Sequence, residues 1–237
     1  MNSLLKYFWM SCLLAVSQQV LAHTLDEARD AIKAGDYAQA ADIYKTLATA
    51  GDAKAQYDLG LMYANGDGVA EDQLQALKWY RQAAEQGLPE AQYMLGVIYF
   101  RNDIVPIDYA EAIKWYKRAA MQGHVRSQLN LGVIYYNGAV VAQDYAQAVK
   151  WYLRAAAQGN AEAQYNLGNM YLRGDGVSQD LERGYMWVYL STSDAPPPEL
   201  EKRLRVLSFY ATKMTAAQLA DARQRAHECQ ARQLHDC

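Results

Sequence analysis

Apolar, small and polar residues return along this chain at a fixed step. Trp79, Trp115, Trp151 and Trp187 are each 36 residues apart. Leu59, Leu95, Leu131 and Leu167 keep the same step, as do the series beginning at Gly51, Gln56, Gly60, Tyr63 and Asp72. Seven parallel columns mark tandem repeats, each a supersecondary unit that buries its apolar face against its neighbours. Inside one period the fixed residues are spaced by three and four rather than by two, so the unit is built of helices.

Each period predicts two helices. The first runs over about 53–64, 91–100, 127–136 and 163–172. At about 100° per residue, Ala55, Gln56, Leu59, Gly60, Met62 and Tyr63 share one arc of the wheel, while positions 54, 58, 61, 64 and 65 share the opposite arc. The first arc repeats and is the packed face; the second changes from copy to copy. Gly60 and its copies lack a side chain on the packed face, which lets a neighbouring helix come close. The second helix opens at Asp72, Asp108, Asp144 and Asp180, where the carboxylate accepts backbone N–H groups. Gln75, Glu111 and Gln147, three places on, complete the pattern of a capping box. Ala76, Trp79, Tyr80, Ala83 and Ala84 form its apolar stripe, and Gly87 closes it beyond the last turn. Pro89 fits the first turn of the next helix.

The two helices are joined by Asn65-Gly66-Asp67-Gly68-Val69 in the first copy and Arg173-Gly174-Asp175-Gly176-Val177 in the fourth. Ile104 and Val140 replace the second glycine in the middle copies, so those loops are expected to differ. One Asp between glycines lacks the ligand count of a calcium loop.

The flanks complete the organisation. Residues 1–22 have the form of a signal peptide: Lys6, an apolar stretch from Tyr7 to Val16, and Val20-Leu21-Ala22 before the cleavage point. That stretch is too short for a permanent membrane span. Residues 23–51 are a capping half-repeat: Thr24-Leu25-Asp26-Glu27 is a capping box, and Asp36, Ala40, Tyr44 and Gly51 lie one period before Asp72, Ala76, Tyr80 and Gly87. Four full repeats then span 52–87, 88–123, 124–159 and 160–195. Residues 196–237 form a helical cap with helices expected over 199–212 and 216–230.

Composition fits this picture and narrows the function. The chain has 237 residues with 23 Lys and Arg against 26 Asp and Glu, so it has no electrostatic footprint for nucleic acid. Removing the leader deletes Lys6 and no acid, shifting the net charge from -3 to -4. The 19 Tyr and 5 Trp could suggest a ligand platform, but the Trp column and the Tyr63 and Tyr44 columns fall on apolar faces and are expected to pack hairpins together. No nucleophile–base motif and no phosphate loop is present, so no catalytic residue, cofactor or metal is assigned.

The columns Ala55-Gln56-x-x-Leu59-Gly60-x-x-Tyr63, Gly66-x-Gly68-Val69 and Asp72-x-x-x-Ala76-x-x-Trp79-Tyr80-x-x-Ala83-Ala84-x-Gln86-Gly87 resemble Sel-one-like repeats, relatives of the tetratricopeptide repeats. The resemblance implies an all-α, right-handed superhelical solenoid of helix hairpins with capping helices at both ends. It also implies a scaffold that binds a protein or peptide in a concave groove lined by the first helices. On that face Arg101, Arg126, Asn130, Asn166, Asn169 and Arg173 supply amides and guanidinium groups suited to a peptide backbone and its carboxylates. The alternatives are an envelope hydrolase acting on β-lactams or peptidoglycan, and a secreted factor that binds a host protein. A signal peptide places the chain in the periplasm or outside the cell.

Only Cys229 and Cys237 remain after leader removal, and a pair of thiols in an exported chain reads as a disulfide. Eight residues of continuous helix would hold them about 12 Å apart, so the helix must end and the chain fold back. His227 and His235 beside them leave metal binding as the lesser alternative. Closing the loop contributes roughly 2–3 kcal/mol in the chain-entropy model.

Overall fold

A computed structural model describes residues 25–193, 195–232 and 234. The leader, Thr24 of the first capping box, and His235 and Cys237 of the tail lie outside the described residues. The described residues are helical throughout, with no strand. In chain order the helices are α1 (25–33), α2 (Tyr37–Thr49), α3 (Ala53–Asn65), α4 (Gln73–Glu85), α5 (Pro89–Phe100), α6 (Tyr109–Met121), α7 (Val125–Asn137), α8 (Tyr145–Ala156), α9 (Ala161–Arg173), α10 (Leu181–Leu190), α11 (Pro197–Ala211) and α12 (Ala216–Ala231). This is an all-α helical repeat solenoid.

Local chemistry sets the helix ends. Asp72, Asp108, Asp144 and Asp180 each accept a backbone N–H three residues on, at 2.9–3.0 Å. The return bond of a full capping box forms at Thr215 and Gln218 of α12. Gly87 follows α4 at φ +99°, and the Gly87 and Leu88 N–H groups bond back to the Ala84 and Ala83 carbonyls. The middle loops diverge as their sequences suggested, but not in the same way. α5 ends at Arg101 in extended backbone, whereas α7 keeps a left-handed Gly138 like Gly66 and Gly174.

Two compact units divide the chain, residues 1–112 and 113–237, with the boundary inside α6. In the first, each of α2 to α5 packs on the helix before or after it. Ala28, Ala40, Tyr44, Leu47, Leu59 and Met62 form a core against which Ile32, Tyr63 and Trp79 rest. In the second, α7 to α10 pack in sequence and α11 and α12 close on α10. Tyr152, Leu167, Met170 and Trp187 share one cluster with Cys229 of α12, and Leu172, Tyr185 and Val188 share another with Leu207 of α11.

The repeated columns find physical causes here. A Cβ on Gly168 would lie 2.6 Å from Val188 Cγ2 and 2.9 Å from the Gly184 carbonyl, so α9 and α10 touch where the glycine sits. The buried Gln56, Gln92, Gln128 and Gln164 each donate to a carbonyl eight residues upstream, near the end of the preceding helix, at 3.0–3.2 Å. Gln86 and Gln158 in turn donate to the Oε1 atoms of Gln56 and Gln128, both at 2.8 Å. Polar side chains thus satisfy helix-end carbonyls inside the core, where an unpaired carbonyl is unfavourable.

One expectation needs correction. The Tyr63 column is half-buried rather than core. The Tyr99 and Tyr171 hydroxyls meet Arg81 and Arg183 at 2.8 and 3.5 Å, so these rings line the junction with the second helices. The Tyr44 column is core: Tyr44, Tyr80, Tyr116 and Tyr152 are 1–3% exposed.

Candidate functional site

The variable faces of α7 and α9 hold five of the six residues chosen from sequence. Arg126 is exposed near the start of α7, and Asn130 is half-buried one turn on. The other three face polar groups of their own chain. Asn166 lies beside the buried Tyr152 hydroxyl and slightly offsets the rise that burial imposes on its pKa. Asn169 donates to the Tyr165 carbonyl of its own helix at 2.8 Å. Arg173 reaches the Tyr136 hydroxyl at 3.3 Å, and that hydroxyl faces Asp175 at 3.5 Å. Arg101 belongs to the other unit, where it is the exposed C-cap residue of α5.

The Asn166–Tyr152 pair has a counterpart in the first unit. Asp58, one position later in α3 than the fixed Tyr57, stands beside the buried Tyr44 hydroxyl, whose pKa its charge raises. Asp58, Met94, Asn130 and Asn166 form one column at the 36-residue step. Where that column holds Met94, the Tyr80 hydroxyl one helix earlier is buried without a partner. Burial, followed by the nearby Tyr57 hydroxyl, drives the Tyr80 pKa far above its usual value.

Asp58 also stands in a cavity of about 340 Å³ in the first unit. Arg29 and Ile32 of α1, Tyr37 and Tyr44 of α2, and Lys54, Asp58, Leu61 and Met62 of α3 line it, with Asn65 and Asp67 at the rim. The walls are mainly apolar and the floor is polar. Lys54 Nζ lies 2.9 Å from Asp58 Oδ1, and the Asp58 side chain is 15% exposed. Lys54 also sits over the Tyr57 ring, 4.7 Å from its centre. Burial raises the Asp58 pKa, and the hydrogen bond and charge of Lys54 offset only part of that effect. Burial and then the Asp58 charge push the Tyr44 pKa up to about 12. A concave, mostly apolar cavity with a few convergent polar groups and a perturbed carboxylate is the usual form of a binding site.

Sequence reasoning placed Lys54, Asp58 and Leu61 on the variable face but did not single them out. The available signal was Asp58 itself, the sole ionisable residue in its column. Arg29 and Ile32 come from α1, which precedes the columns, and Tyr37 belongs to a column shared with Tyr109 and Tyr145 that gave no sign of a cavity. Among the described residues no cluster of three His, Cys, Asp or Glu could hold a metal, and no helix is long and apolar enough to cross a membrane. In the tail, α12 ends at Ala231, and the Leu234 N–H turns back to the Cys229 carbonyl at 2.8 Å with Leu234 at φ +65°.

Residues 53–88, 89–124, 125–160 and 161–192 match the family model described as Sel1 repeat. Among solved structures, a Sel1 repeat protein from Oxalobacter formigenes is 37% identical with a TM-score of 0.68, over 73% of this chain and 49% of that one. The protective antigen c5321 of uropathogenic Escherichia coli, which displays an SLR fold, is 28% identical with a TM-score of 0.52, over 88% of this chain and 52% of that one. The chain therefore spans about half the length of both. No curated protein matches it.

Proposed function

The chain belongs to the Sel1 repeat family, whose members are generally protein-interaction scaffolds, and from that premise we propose that it binds a peptide segment of a partner protein through the first-helix face of its repeats. The observation that carries this reading is the cavity between α1, α2 and α3, with apolar walls around the Lys54–Asp58–Tyr44 floor. Its volume accepts one large apolar side chain. Lys54, Asp58 and Asn65 line the same cavity and supply donor and acceptor groups for an adjoining peptide backbone. The ligand is thus an extended peptide with a Leu-, Met- or Phe-sized anchor.

A second reading places the peptide on α7 and α9, and exposed Arg126 beside half-buried Asn130 favours it. Export to the periplasm or the medium is part of the proposal. It is supported by the form of residues 1–22 and by the likeness to a protective antigen. The Cys229–Cys237 disulfide belongs to it as well, supported by the turn that brings the chain back after α12. We read the protein as non-catalytic, on the absence of any nucleophile–base motif in the sequence; a β-lactam or muropeptide turnover assay tests that directly.

A random-peptide display selection on the full chain, counter-selected on Leu61→Arg, tests the binding site. Enrichment of peptides that the variant no longer retains supports the cavity. Peptides retained by Leu61→Arg but lost on Arg126→Ala with Asn130→Ala move the site to α7 and α9.

A further inference from the structure

The second unit carries a surface that peptide binding does not use. Residues 113–161 contain six Lys or Arg and one carboxylate, Asp144, whose side chain caps α8 through the Gln147 N–H at 2.9 Å. Lys117 and Arg118 of α6 and Lys150 and Arg154 of α8 are exposed. On α1, α11 and α12 several exposed cations pair with a carboxylate three or four positions away, as in Arg29–Asp26, Lys202–Glu199, Arg205–Glu201 and Arg225–Asp221. Around these four cations the same positions hold Lys, Arg, amide or apolar residues. Lys150 and Arg154 are themselves a like-charge pair at i and i+4, a spacing that disfavours the isolated helix.

Aromatic rings fix where these charges stand. The Arg118 guanidinium lies 4.5 Å from the centre of the Trp115 ring, Arg154 lies 4.9 Å from Trp151, and Lys117 lies 5.6 Å from Tyr135. Trp115 and Trp151 are 7% and 6% exposed, so the rings are a fixed floor beneath the cations. A guanidinium stacked on a ring keeps its in-plane N–H groups available for phosphate oxygens. Gln128 accepts from Gln158, just beyond α8, and donates to the Ala120 carbonyl in the last turn of α6, so the C-terminal ends of the two helices sit side by side. There Met121 and Leu153 are exposed at 77% and 40%, and Leu153 stands where Lys117 stands one repeat earlier.

We propose that this face of α6 and α8 docks on a phospholipid surface rich in anionic headgroups. The cations meet headgroup phosphates, and Leu153 and Met121 enter the boundary between headgroups and acyl chains. Charge of one sign interleaved with exposed apolar side chains fits a lipid surface, where phosphates and acyl chains lie one directly beneath the other.

The test is flotation of the full chain with vesicles of phosphatidylcholine alone, or with about 30% phosphatidylglycerol, at about 0.1 M salt. The expected result is preferential partitioning to the anionic vesicles, lost at about 0.5 M salt. Each cation contributes about fivefold, so Arg118→Glu with Arg154→Glu lowers the preference at least about 25-fold. Leu153→Ser weakens partitioning while keeping its salt dependence. The residues at the N-terminus are common to every variant and cancel in the comparison; circular dichroism confirms that each exposed-site variant is folded. Equal binding to both vesicles, or an unchanged preference in the charge-reversed variant, overturns the proposal. Binding to soluble polyglutamate without binding to anionic vesicles overturns it too.

Discussion

Replacing Asn166 by Met separates a structural role from a peptide-binding one. Asn166 lies beside the hydroxyl of Tyr152, which is 2% exposed and whose pKa is driven far above the usual value, chiefly by burial, with Asn166 opposing the shift. Asn166 acts on the Tyr152 oxygen as a donor; methionine offers none, and leaving a buried polar group without its partner costs about 1–3 kcal/mol. The better helix propensity of Met returns only a few tenths of this, about 0.3 kcal/mol. Adding Tyr152→Phe removes the orphaned group, so the double variant should recover to within about 0.5 kcal/mol of Tyr152→Phe alone. The first unit already contains the defect in natural form, since Tyr80 has a buried, unpartnered hydroxyl where the column holds Met94. Met94→Asn should therefore gain about 0.5–1.5 kcal/mol. Urea unfolding followed by both tryptophan fluorescence and far-UV dichroism measures these differences and shows whether each transition is cooperative. A coupling energy between Asn166 and Tyr152 below about 0.3 kcal/mol would refute the reasoning.

Three other outcomes follow from the same geometry. Gly168→Ala sets a helix-propensity gain of about 1 kcal/mol against overpacking of about 1–3 kcal/mol; because the new Cβ meets the Gly184 carbonyl as well as Val188, net destabilisation is expected. A stabilised Gly168→Ala in the same urea titration would show that α9 and α10 do not touch there. Asp58 has a folded-state pKa raised by burial, so its ionisation opposes folding: its contribution is most favourable at low pH and is lost as pH rises through the raised pKa. Asp58→Asn should accordingly be more stable than the parent at pH 7, with the difference vanishing below about pH 4, and a thermal melt series across that range reads the effect. The anionic-vesicle preference of α6 and α8 is the third, read by flotation as described above.

Much of the fold was legible because periodicity exposes whatever recurs. The Trp, Leu and Gly columns located the hairpins, and the Asp column located the starts of the second helices to the residue. What periodicity concealed was the partner of each column. The Gln column reads as part of a packed face, yet its function is to reach a carbonyl on the helix before it. The Tyr63 column looked like core on the wheel, but the second helices bring arginines to its hydroxyls. The site was less legible still. Asn166 and Asn169 stood out as variable amides on an outward face, and only packing shows that Asn169 is engaged by its own helix and that Asn166 lies against the buried Tyr152 hydroxyl. The cavity depends on Arg29 and Ile32 of α1, which have no equivalents to align, and on Tyr37, whose equivalents Tyr109 and Tyr145 gave no sign of it.

The most direct test of the account is the affinity of one display-selected peptide, titrated calorimetrically into the full chain and its variants. If the α1–α3 cavity takes the anchor side chain, Leu61→Arg weakens binding at least tenfold, about 1.4 kcal/mol. Arg126→Ala with Asn130→Ala leaves it unchanged. Full affinity in Leu61→Arg contradicts the account.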